Sequence, residues 1–96
     1  MSGYLREIKS ARIDSTHLSV ELCDGFAFTV PLAFYPTLQL ATDEERKAME
    51  VLPYSLHWDA LDCDLGIEGL LQGIREHPKL AEKARQRFEQ RQHAAA

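Results

Sequence analysis

The sequence predicts an α+β fold: a small antiparallel sheet of three to four strands, short helices and a C-terminal helix. Three observations predict it. Leu18, Val20 and Leu22, then Phe26, Phe28 and Val30, alternate with polar or small residues, which is the period of half-buried strands. Asp24-Gly25 lies between the two runs and signals a hairpin. Pro78 opens a charged segment that carries Leu80, Ala84 and Phe88 at helical spacing.

The elements follow in order. Residues 7–13, Glu-Ile-Lys-Ser-Ala-Arg-Ile, read as a short first strand, and Asp14-Ser15-Thr16 as a polar turn. In the hairpin, a two-residue loop would oppose Leu22 to Ala27 and split the apolar rows between two faces. A three-residue loop, Cys23 to Gly25, opposes Leu22 to Phe26, Val20 to Phe28 and Leu18 to Val30, and so makes one apolar surface. That loop closes on a left-handed residue, which Gly25 tolerates, and it leaves Cys23 exposed at the bend. Pro31 lacks an N–H and ends the ladder. Leu32, Phe34, Tyr35 and Leu38 form an apolar connector with one helical turn around Pro36.

Thr42 and Glu45 make a capping box at the head of a short helix, roughly residues 43–50. Leu52, Tyr54, Leu56 and Trp58 alternate through a last strand over residues 51–58, with Pro53 near its start. Residues 66–73 predict a short helix with Gly66 or Asp64 near its N-cap and Gly73 past its end. A longer helix over residues 78–92 follows, with Leu80, Ala84 and Phe88 as its apolar seam and Ala81 beside it. Its seam must meet either its own sheet or another chain.

Ninety-six residues, 45% hydrophobic and 27% charged, describe one ordinary domain. No apolar run is long enough to span a bilayer, so no membrane partner is expected. Residues 1–9 have no apolar h-region and carry Glu7, so no secretory signal is expected and the compartment is the cytoplasm. Cys23 and Cys63 are too few for a disulfide framework and lack CxxC spacing, so both read as reduced thiols without chemistry. Residues 1–74 hold five Lys/Arg against twelve Asp/Glu; residues 75–96 hold six against three. The expected organisation is therefore an acidic α+β domain, 1–74, and a basic C-terminal helix and tail, 75–96.

These residues together resemble a bacterial family known as domain of unknown function 2442. The resemblance rests on Asp24-Gly25, Val30-Pro31-Leu32, Pro36-Thr37-Leu38, Thr42 through Arg46, and the block from His57-Trp58 to Gly73. It covers about residues 5–73. One departure is Gly66, where the family often has a serine that caps the helix better. The resemblance implies a small α+β domain and no catalytic residues. It also implies small bacterial or phage-borne proteins, some encoded beside a second small protein as toxin–antitoxin pairs are, others followed by a DNA-binding domain. Residues 75–96 are too short for that second domain.

Candidate residues were weighed by chemistry. Asp59, Asp62 and Asp64 suggest a metal-dependent enzyme, but they fail the calcium-loop spacing, and aspartates ahead of a helix serve as caps. No residue is assigned to a metal, and no cofactor is expected. His57 has no nucleophile or orienting partner legible in sequence, so no catalysis is assigned to it. Lys79, Lys83, Arg87 and Arg91 suggest a nucleic-acid-binding regulator, although Glu82 and Glu89 interrupt the cations and no aromatics interleave them. The preferred expectation is a cytoplasmic, non-enzymatic protein-interaction module, the antitoxin-like member of a two-protein bacterial module. Its partner is another protein or a second copy of the chain, with nucleic acid as the alternative. Trp58, Asp62, Asp64, Leu80 and Phe88 are the expected contact residues.

Overall fold

Strands β2 (His17–Leu22) and β3 (Ala27–Pro31) form the hairpin in the expected register, Leu18 opposite Val30 and Val20 opposite Phe28. The Leu22 N–H donates to the Phe26 carbonyl at 2.8 Å, and Gly25, at φ 93°, closes the three-residue loop. Leu18, Val20, Leu22 and Val30 are buried, and Phe28 packs against them. Each fully buried leucine contributes about 2 kcal/mol. Phe26 lies at the exposed tip, with the Arg6 guanidinium 4.7 Å above its ring. Cys23 is exposed and Cys63 buried, both as free thiols. This computed structural model describes residues 6–95, with side chains to residue 92. Residues 1–5, most of the stretch read for a secretory signal, and the terminal Ala96 lie outside the described residues.

Strand β1 (Ile8–Ile13) pairs antiparallel with β2, and its register shifts between Ile8 and Ser10. The shift explains its irregular sequence. Ile8 and Ala11 are three residues apart, so a regular strand would face them oppositely. One extra residue, Lys9, restores them to the same side, with Ile8 opposite Leu22 and Ala11 opposite Val20.

The second half departs from expectation. The segment read as one strand over 51–58 folds back on itself as β4 (Glu50–Val51) and β5 (Ser55–Trp58). Pro53, with no N–H to give a ladder, sits in the bend. The Leu52 N–H donates to the Ser55 carbonyl at 2.9 Å. After a 3-10 turn over Asp59–Leu61, Asp62 at φ 50° lets the chain return as β6 (Cys63–Gly66). Two three-stranded antiparallel sheets result, β1-β2-β3 and β4-β5-β6. The Ile8 N–H joins them by donating to the Pro53 carbonyl at 2.7 Å. One apolar core serves both sheets, with Leu18, Leu22, Leu56 and Trp58 at its centre.

The helices are α1 (Pro36–Gln39), α2 (Asp43–Lys47), α3 (Ile67–Gln72) and α4 (Pro78–Ala95). Both arms of the Thr42–Glu45 capping box form. Gly66 is the N-cap of α3 and supplies no side-chain bond, while Gly73 ends that helix at φ 71°. Helix α4 lies along α1 and buries Ala81 and Ala84. Its large apolar side chains are only partly covered, Leu80 44% and Phe88 37% exposed.

Candidate functional site

Helix α1 has only four residues, too short to hold itself together. Tertiary partners secure both of its ends. At its start, the Thr37 N–H donates to Glu76 Oε1 at 2.8 Å. At its end, the free carbonyls are taken by two arginines. Arg46 Nη1 donates to the carbonyls of Leu38 at 3.0 Å and Ala41 at 2.6 Å, with that of Gln39 at 3.3 Å. Arg91 donates to the Leu40 carbonyl and pairs with Glu45 at 3.4 Å. Arg46 is buried for this purpose, and its Nη2 meets Asp43.

These contacts revise several expected sites. Trp58 is 1% exposed and donates its indole N–H to the Arg46 carbonyl at 3.0 Å, so it is a core residue and presents nothing to a partner. Arg91 is occupied at the end of α1, and Arg87 is half-buried. Of the four basic candidates, Lys79 and Lys83 are exposed. A continuous cationic stripe for phosphates is therefore not assembled by these four side chains.

Around the aspartates, β5 and β6 bring His57 and Asp64 opposite each other. The His57 Nδ1–H donates to Asp64 Oδ1 at 2.8 Å, and its Nε2 stands 3.5 Å from Asp59 Oδ1. The Asp64 bond is the main cause that raises the His57 pKa, and Asp59 adds to it. The imidazole thus lies between two of the three aspartates, and Asp62 occupies the left-handed bend. Among the described residues, no three His, Cys, Asp or Glu side chains are grouped to hold a metal ion.

Behind Asp64 lies a cavity of about 240 Å³ between β6, α3 and the start of α4. Tyr35, Cys63, Leu65, Leu70, Ile74 and Leu80 form half of its lining. Asp64 and Leu80, two of the expected contact residues, meet here; Phe88 lies on a separate groove with Pro36, Leu40 and Arg85. Burial, with Glu76 and Asp64 nearby, pushes the Cys63 thiol up to about 12, so it stays protonated and is no nucleophile at neutral pH. Burial also raises the Tyr35 pKa, with Cys63 and Glu76 as lesser causes.

Tyr35 is 2% exposed, and its hydroxyl is the one buried side-chain polar atom among the described residues that lacks a hydrogen-bond partner. Such an orphan costs about 1–3 kcal/mol. The sequence marks Tyr35 as part of an apolar connector and carries no signal for this hydroxyl. Nor does the sequence signal Arg46, which folds back on Leu38 and Ala41 nearby in the chain, or Glu76, whose partner Thr37 is distant in sequence.

No curated protein matches the chain. A crystal structure of a protein of unknown function from Rhodospirillum rubrum is similar at 33% identity and a TM-score of 0.69, over 81% of this chain and 99% of that one. The family model described as "Protein of unknown function (DUF2442)" matches residues 8–76, which takes in both sheets and more than half of the chain, and the chain belongs to that family.

Proposed function

We propose that the chain is a non-enzymatic protein-interaction module that works in the cytoplasm as the neutralising, antitoxin-like member of a two-protein bacterial module. One observation carries the reading. Helix α4 buries two alanines and leaves its two largest apolar side chains, Leu80 and Phe88, partly exposed. Ile74, 57% exposed, extends the apolar surface next to Leu80. Stability of the single chain favours the opposite arrangement, and apolar surface left uncovered is characteristic of a docking face. The acidic balance of residues 1–74 favours a basic partner.

The test is co-purification of untagged protein from its native host, followed by mass and stoichiometry measurement. A basic protein recovered in fixed ratio, and lost on Leu80→Asp with Phe88→Asp, supports the proposal. Recovery of free monomer alone overturns it. A symmetric dimer of this chain would replace the heterologous partner with a second copy.

A further inference from the structure

We infer that two copies of the chain pair through the free edge of β3, the two strands antiparallel with Phe28 opposite Phe28 on a twofold axis. The pairing uses no residue of α4 and so stands apart from the partner reading. β3 is bonded to β2 on one side and to no strand on the other. Hydrogen-bonded pairs alternate along an antiparallel ladder. The bonds from the Leu22 N–H to the Phe26 carbonyl and from the Leu32 N–H to the Thr16 carbonyl set the phase. Phe28 and Val30 therefore turn their backbone polar groups to β2, and Ala27 and Thr29 turn theirs away. Among the described residues, no other backbone group bonds the N–H or carbonyl of Ala27 or Thr29. With Phe28 on the axis, Ala27 of each copy exchanges both bonds with Thr29 of the other. Every outward group of the two residues is then satisfied. Pro31, which has no N–H, lies beyond them and is asked for none.

Charge selects a second copy as the occupant. Residues 1–74 are acidic, so two bodies repel wherever they meet through like-charged side chains. Of the six described strands, β3 alone carries no titratable side chain. The charges that flank it are already paired, Asp24 with Arg6 at 3.1 Å and Glu21 with Lys9 at 3.7 Å. The other edges are guarded against pairing. β1 has its bulge at Lys9 and an exposed Arg12, β4 is two residues long with Glu50, and β6 carries Asp64.

The apolar side of the edge matches itself as well. Phe26 is 45% exposed and Phe28 half-buried, with ring centroids 6.2 Å apart. The twofold sets Phe28 against Phe28 and Phe26 opposite Val30 of the other copy. Four rings then form one row across the seam.

A seam of this size gives weak association, so the test runs to about 1 mM protein. Sedimentation equilibrium of the full chain should show monomer converting to dimer over that range. Amide exchange of Ala27 and Thr29 should slow as the dimer fills. Ala27→Lys with Thr29→Lys sets like charges opposite each other across the seam and should abolish the dimer. Ala27→Lys with Thr29→Glu sets opposite charges there and should restore it. Both positions are exposed in the single chain, so the fold tolerates either pair. Leu80→Asp with Phe88→Asp should leave the dimer intact. Monomer at every concentration, fast exchange at Ala27 and Thr29 within a dimer, or a dimer that survives the two lysines would each overturn the inference. Loss of the dimer with the α4 pair would also overturn it, and would move the contact between copies to α4.

Discussion

The imidazole of His57 meets the carboxylate of Asp64 at 2.8 Å across neighbouring strands. The bond raises the pKa of His57 in the folded chain. Protonated His57 therefore favours the folded state. Its contribution is complete below the unfolded value, about 6.5, and is lost as pH rises through the higher folded value. The stability advantage of wild type over His57→Gln should shrink between pH 6 and pH 8. Titration of the His57 ring by NMR should give a pKa above 6.5, and Asp64→Asn should lower it. A wild-type ring that titrates at or below 6.5 contradicts the pairing.

Arg46 closes the end of α1 from inside the protein. Arg46→Ala would leave the carbonyls of Gln39 and Ala41 without this donor and take one of two from that of Leu38, at a cost of about 3 kcal/mol. Arg46→Lys should restore little, because one ammonium cannot reproduce the flat fork. Urea unfolding measures both. A loss below about 1 kcal/mol for Arg46→Ala would mean that water caps the helix instead.

Two glycines of one helix should respond with opposite signs. Gly73 sits at φ 71°, so Gly73→Ala should destabilise by about 1 kcal/mol. Gly69 lies inside α3, and a methyl group there meets no atom within 4 Å. Gly69→Ala should stabilise by about 0.5–1 kcal/mol. Thermal melts should move a few degrees in opposite directions; shifts of the same sign would refute the assigned helix end.

The two faces of α4 should separate stability from association. Leu80→Ser with Phe88→Ser should cost about 1–2 kcal/mol, since each side chain keeps more than half of its surface covered. Ala84→Glu places a charge in the contact with the body and should cost about 2 kcal/mol or more. It should also expose the bonds after Lys83 and Arg85 to trypsin. Rapid cleavage of the double serine variant instead would show that Leu80 and Phe88 hold the helix down.

The first sheet was legible because its signals are local. A strand period, an Asp-Gly bend and a count of loop residues settle which side chains share a face, and Gly25 and Thr42 behave as their neighbours in sequence require. The bulge at Lys9 was hidden, since it appears only once β2 fixes the partner positions. Residues 51–58 misled for a related reason. Alternation persists through a tight bend, so it marked one strand where two exist, and Asp62 in a left-handed conformation gave no warning of β6. For Trp58 alone the sequence favours core packing, and its place among the expected contact residues fails because both sheets close over it. The cavity beside Tyr35 joins residues from 35 to 80 and has no linear trace.

Ala81 and Ala84 have a further consequence for α4. Methyl groups carry no shape that other positions must match, and Arg91 fastens the far end of the helix through backbone oxygen. The outward residues can then be rewritten without loosening the attachment. The body thus acts as a fixed handle that can carry differently worded labels.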